Sequence, residues 1–198
     1  SVSLNPGQAL TVTDLGGMAG KRGNIALDDA GNNFNSVNFT GGDVAWQQAN
    51  AISIGSASAN PGTTSSGTLT ITANGPITQT GPITAAGTAT LNATGGKITL
   101  THAANNFNTV SVSGNDVILV DANTLNLAAS AVTGNLNVTT NGPLTQSSPL
   151  TVAGTTTLAV GSANNITLNS ISNDFGTVAV TSANDVVLSD ANALNLGA

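Results

Sequence analysis

The chain of 198 residues carries three basic side chains, nine acidic ones and a formal net charge of −6 at pH 7. That balance excludes the basic footprint of a nucleic-acid binder and any attraction to an anionic membrane surface. There is no Cys, so thiol chemistry and Cys-ligated zinc are excluded as well.

Charged residues make up only 6% of the chain, against roughly 25% in an average domain. Disorder does not follow, because hydrophobic content is 39% and Val, Ile and Leu recur at regular intervals. Solubility falls to Asn, Thr, Ser and Gln, residues that suit turns and outward strand faces better than helix interiors. No run of 18 apolar residues exists, so no membrane-spanning helix and no membrane insertion by this segment is expected.

The predicted elements are short strands in which two apolar residues flank a small or polar one. In chain order they begin with Leu10–Val12, Ile25–Leu27, Val37–Phe39, Val44–Trp46 and Ile52–Ile54. Next come Leu69–Ile71, Ile98–Leu100, Val110–Val112, Val117–Leu119 and Leu125–Leu127. The last group is Leu136–Val138, Leu150–Val152, Leu158–Val160, Ile166–Leu168, Val178–Val180, Val186–Leu188 and Leu194–Leu196. Such alternation marks strands with one buried face, and Gly, Asn, Pro or Asp punctuate them. The one helix candidate is a turn or two near Asp14–Lys21. The chain is expected to be all-β.

The chain also repeats itself. GPITQTGPITAAGTATLNA from Gly75 returns as GPLTQSSPLTVAGTTTLAV from Gly142, and NNFNTVSVSGNDVILVDANTLNLAA from Asn105 returns as NDFGTVAVTSANDVVLSDANALNLGA from Asn173. A weaker copy begins at Asn32. The offset is nearly constant, lengthening slightly between the Gly75–Gly142 pair and the Leu125–Leu194 pair. We divide the chain into repeats 1–66 (degenerate), 67–133 and 134–198 (truncated) within a single solenoid spanning 1–198.

Fixed-period self-similarity points to a stacked architecture. Propeller blades lack their signatures here, and immunoglobulin-like domains need a longer unit. The unit divides into three coils of roughly 22 residues, a size usual for solenoid repeats, with three short strands in each. That is the layout of a right-handed parallel β-helix, in which about nine coils at the ~4.8 Å strand spacing give a rod on the order of 40 Å long. A terminal coil exposes unpaired strand edges, and the N-terminal stretch with Lys21-Arg22 is a candidate partial cap. The chain starts in a strand-like SVSLN and stops at Leu196-Gly197-Ala198, where the preceding copy continues. It reads as a middle piece of a longer protein.

Candidate sites are few. Asp43, Asp116 and Asp185 share one repeat position; Asp121 and Asp190 share another, with Gln48 in the first copy. Calcium would use such residues, but copies three coils apart, about 14 Å, cannot share an ion; a turn role in which each Asp bonds its own backbone is expected. Glycoside hydrolysis or polysaccharide lysis needs two acids within reach of each other or an acid with a base, and the chain has no Glu and one His, His102. Thr68-Leu69-Thr70-Ile71-Thr72 and Thr155–Thr157 suggest an ice-binding array, yet Thr68 and Thr70 become Asn135 and Asn137 in the next copy. Trp46 stands where later copies have Leu119 and Leu188, and its alternation points inward, against a sugar-stacking role. Ile118 and Val187 are apolar at outward positions and are expected to lie under a loop. No catalytic, cofactor-binding or metal-ligating residue is assigned.

The units GPLTQSSPLTVAGTTTLAV, NNITL, NDFGTVAVT and DVVLSDANALNLGA resemble the repeats of filamentous-haemagglutinin-like adhesins of two-partner secretion, from about Gly23 onward. Autotransporter passengers carry similar shafts. The resemblance implies a β-helical shaft on the bacterial cell surface, secreted across the outer membrane by an outer-membrane secretion partner of the full-length protein. It also implies contact with a polysaccharide or a host or neighbour-cell surface, for adhesion or biofilm. A carbohydrate- or ice-binding solenoid is the runner-up, and a β-helix lyase or hydrolase ranks third.

Overall fold

Short strands separated by Gly- and Asn-rich turns have no long-range choice but to pair with the next turn of chain, and they do so here in parallel. The computed structural model describes residues 9–13, 23–60 and 66–197. The early strands are β1 (Ala9–Thr13), β2 (Ile25–Leu27), β3 (Ser36–Gly41), β4 (Val44–Gln48), β5 (Ile52–Ala59) and β6 (Leu69–Ala73). The middle of the chain forms β7 (Ile77–Gln79), β8 (Ile83–Ala93), β9 (Ile98–Leu100), β10 (Asn106–Gly114), β11 (Val117–Asp121), β12 (Leu125–Leu127) and β13 (Ser130–Val132). The last are β14 (Leu136–Thr140), β15 (Leu144–Gln146), β16 (Leu150–Ala159), β17 (Ile166–Leu168), β18 (Asp174–Ser182) and β19 (Val186–Leu188). Among the described residues there is no helix. The helix candidate at Asp14–Lys21 and the proposed cap at Lys21-Arg22 lie outside the described residues.

The registers define the winding. One ladder passes from Ile25 through Val44, Leu69, Ala89 and Val110 to Leu127. A second passes from Ile52 through Ile77, Ile98, Val117 and Leu136 to Thr156. Each step, such as that from Leu69 to Ala89, is one coil of the chain, and the fold is a parallel β-helix of about eight coils. The number of coils is close to the nine expected, but each coil is shorter than the strand count implies. The shorter coil has a consequence for the repeat. Leu69 and Leu136 are equivalent by sequence, but the ladder through Leu69 goes on from Leu127 to Gln146 and misses Leu136. One repeat thus spans between three and four coils, and equivalent strands face different sides of the rod. The expectation that equivalent residues stack three coils apart is corrected.

Alternation within each strand sets the core. Val117, Leu119 and Asp121 point inward along β11 while Ile118 and Val120 point out, and β6, β12 and β14 follow the same rule. The inward residues form one continuous apolar column from Ile25 to Val178; each fully buried Leu, Ile or Val contributes about 1.5–3 kcal/mol. At the N-terminal end the column is aromatic: Trp46 packs edge-on against Phe34 at 5.0 Å and stacks near Phe39 at 6.3 Å. Turns stack backbone on backbone, which is why Gly81 is glycine: a Cβ there would sit 1.8 Å from the carbonyl oxygen of Gly55.

Four strands escape the two-apolar pattern. β7, β13 and β15 each have a polar or small residue at one flanking position, and β8 carries its inward face largely on Ala85, Ala89 and Ala93. Leu194–Leu196, predicted as a strand, makes only a single bridge from Leu196 to Val178.

Candidate functional site

The most elaborate polar arrangement is buried, and it occurs in both the second and the third copy. Asn105 is fully buried at the start of β10. Its Nδ2 donates to the carbonyls of Leu100 (3.4 Å) and Val120 (3.1 Å) and to Gln79 Oε1 (2.9 Å). Its Oδ1 accepts from the Ile83 amide (2.9 Å) and from Gln79 Nε2 (2.8 Å). In the next copy Asn173 repeats the set with Leu168, Ser189, Gln146 and Leu150. These two amides thus tie three successive coils together.

Beside each asparagine a phenylalanine amide needs an acceptor, and the second Asp position supplies it. Asp121 Oδ1 accepts from Phe107 N at 2.7 Å and its Oδ2 from Asn123 N at 3.1 Å. Asp190 Oδ1 accepts from Phe175 N, and Gln48 Oε1 accepts from Phe34 N. The substitution of Gln48 for Asp is thereby explained: both present an oxygen at the same place, and Gln48 Nε2 also donates to Phe34 O. Burial pushes the Asp121 carboxyl up, against the amide hydrogen bonds that favour its charge.

The first Asp position works differently from the expected local turn. Asp43 Oδ1 accepts from the amides and hydroxyls of both Ser66 and Thr68, which lie in the following coil. Asp116 Oδ1 accepts from Asn135 N at 3.0 Å. These carboxylates clamp the following coil rather than their own turn. Burial opposes the charge on Asp43, but the bonds from Thr68 and Ser66 outweigh it and hold its carboxyl below the usual range. The Asn135 amide and then Lys97 hold Asp116 low as well.

On the outer surface, Lys97 Nζ lies 2.8 Å from Asp116 Oδ2. This pair borders a shallow concavity of about 390 Å³, floored by Thr99, Ile118, Asn137 and Thr157 from four successive coils. Ile118 is 38% exposed in it, and Val187 is exposed at the C-terminal end; neither lies under a loop, contrary to expectation. Asp116 and Asp121 do not converge as a pair, since Asp116 is bound to Lys97 and Asn135 at the surface while Asp121 is buried with both oxygens on backbone amides. Among the described residues no three acids or imidazoles gather around one point.

The remaining candidates fall to structural duties. His102 Nδ1 accepts from Ala104 N at 3.1 Å in a turn tip, where Asp29 and Ser170 make the same contact in the other copies. Trp46 is inward and buried, as its alternation indicates. Thr68 is bound to Asp43, and Thr156 is buried between outward-facing Thr155 and Thr157, so neither Thr cluster makes a flat exposed array. The asparagines at 32, 105 and 173 were not singled out by sequence reasoning. Their signal was recurrence at one repeat position two residues before Phe34, Phe107 and Phe175.

Parallel coils, one apolar column and repeated inter-coil polar ties define a β-solenoid repeat protein. Residues 41–113 and 114–182 match a family model described as repeats of unknown function (DUF5649). The two matches cover well over half of the chain, which therefore belongs to that family. No curated protein and no solved structure matches it.

Proposed function

We propose that this chain is a structural and adhesive shaft segment of a secreted bacterial surface adhesin of the filamentous-haemagglutinin-like, two-partner-secretion kind. The observation that carries the reading is the unbroken parallel ladder from β2 to β19, in which the carboxylates and buried amides of one coil are spent on bonding the next. Side chains committed in that way are suited to transmitting load along the rod rather than to turnover. The low charge leaves the stack insensitive to salt. In this reading the outer-membrane secretion partner exports the full-length protein, and the rod holds a contact region for a polysaccharide or a neighbouring cell away from the membrane.

The test is antibody labelling of intact cells that produce the protein, together with an attachment assay after deletion of its gene. Labelling of unbroken cells and weakened attachment are expected. Label that enters only after lysis would sink the surface assignment, and attachment unchanged by the deletion would sink the adhesive role.

A second reading, a carbohydrate-binding module, is favoured by the groove of Lys97, Asp116, Thr99, Asn137 and Thr157 beside exposed Ile118. It predicts retention on a glycan array that Ile118→Asp abolishes.

A further inference from the structure

The outward row that floors the surface concavity is polar at every step but one. It runs through Thr78, Thr99, Ile118, Asn137 and Thr157, each in register with the next on the following coil. The four from Thr99 to Thr157 lie in the concavity and span about 14 Å at the parallel strand spacing, room for a short oligomer. Thr99, Asn137 and Thr157 make no side-chain hydrogen bond to other described residues, unlike the amides and carboxylates tied up between coils. Ile118, 38% exposed among them, takes no part in the core. One floor thus offers three open polar groups and one apolar seat.

Charge narrows the occupant. Lys97 is the one Lys or Arg among the described residues, and Asp116 Oδ2 matches its charge at 2.8 Å. An acidic sugar chain therefore finds no free cation here, on a protein whose own net charge is −6. A neutral chain meets no such opposition. A bare hexose, however, gains most of its apolar contact by laying a ring face on an aromatic side chain. That contact is closed off: the chain has four Phe, one Trp and no Tyr, and all five aromatics are at most 2% exposed. The apolar contact has to come from a substituent of the ligand seated on Ile118, with its polar part facing Asn137 one coil away.

We propose that this groove takes a neutral chain of N-acetylated amino sugars lying along the rod axis. The acetamido methyl sits on Ile118. The acetamido carbonyl and N–H meet the Asn137 side-chain amide, which donates to the one and accepts from the other. Sugar hydroxyls fall to Thr99 and Thr157. The inference rests on the carbohydrate-binding reading given above and names the ligand class for that same site.

The test titrates the whole chain with a short oligomer of N-acetylglucosamine, the glucose oligomer of the same length and linkage, and the fully deacetylated, cationic glucosamine oligomer. The acetylated oligomer should bind at least about tenfold more tightly than either of the others, the order of effect that one seated methyl group produces. Ile118→Thr leaves the core untouched and gives the row the residue type of its neighbours, and it should bind the acetylated and glucose oligomers alike. Equal binding of those two by the parent chain, or a preference that survives Ile118→Thr, would overturn this inference and leave the carbohydrate reading standing. Tightest binding of the cationic oligomer would overturn it as well, with Asp116 as the selecting group. Retention of no glycan at all on an array would remove the carbohydrate reading and this inference with it.

Discussion

The Asn105 site and the turn tip just before it differ in what the repeats hold constant. At the base, Asn105 and Asn173 make the same five kinds of bond, and the amides of Phe107 and Phe175 donate to the equivalent carboxylates of Asp121 and Asp190. Three residues earlier, the tip is capped by Asp29, His102 or Ser170, three unrelated side chains accepting the amide two residues on. Burial accounts for the difference. An oxygen or amide inside the rod has no water to fall back on, so its partner is fixed. A solvated tip accepts any short acceptor. Ile171, 81% exposed at the tip of the third copy, shows how freely that position drifts.

The largest expected effect comes from breaking the base. Asn105→Ala strips acceptors or donors from Ile83, Leu100, Val120 and Gln79 at once, and should cost about 3 kcal/mol or more in urea unfolding. Asp121→Ala comes next, at about 1–3 kcal/mol, because it orphans the Phe107 amide. It also carries a pH signature. The folded-state carboxyl of Asp121 lies above its ordinary value of 3.8, so the folded protein holds this proton longer than the unfolded chain does. Its contribution therefore falls as pH rises from 3.8 through the folded value, and the variant should lose that downward slope in melting temperature.

Asp116 has the opposite sign. Its carboxyl is held below 3.8, so its contribution is complete above that value and is lost as pH falls through the folded one. Asp116→Asn should melt below the parent at neutral pH, with the gap closing under acid. At the tip, His102→Ser should change stability by less than about 0.5 kcal/mol, because Ser170 already performs that cap in the next copy. A loss comparable to that of Asn105→Ala would break the contrast between base and tip.

Much of the fold was legible because it rests on alternation, the strongest local signal a strand has. Leu69-Thr70-Ile71 and its kin are strands with the predicted inward and outward faces. The strands missed were those with a weak inward flank: Ala in β8, Ser130 in β13, and Gln79 and Gln146 in β7 and β15, none of which gives the hydropathy signal of a second large apolar residue. The coil length was overestimated because β7, β8, β13 and β15 went uncounted, so that the repeat was divided among too few strands. The buried asparagines were illegible for another reason. Asn is a turn residue by propensity, and only a register that places it under three coils makes it a core residue. Asp43 and Asp116 were read as local caps because sequence neighbours are visible and coil neighbours are not.

The central claim is that neighbours in this molecule are set by the coil, the step from Leu69 to Ala89, and not by the repeat, the step from Leu69 to Leu136. A chain without Cys permits a direct check by paired cysteines. Thr99 and Ile118 are in register on adjacent coils, at the ~4.8 Å spacing of parallel strands and within disulfide reach. Thr70 and Asn137 are equivalent in the repeat but belong to different ladders. Under mild oxidation Thr99→Cys/Ile118→Cys should close an intrachain disulfide, and Thr70→Cys/Asn137→Cys should remain reduced. A disulfide in the second pair, or none in the first, would contradict the winding on which the rest depends.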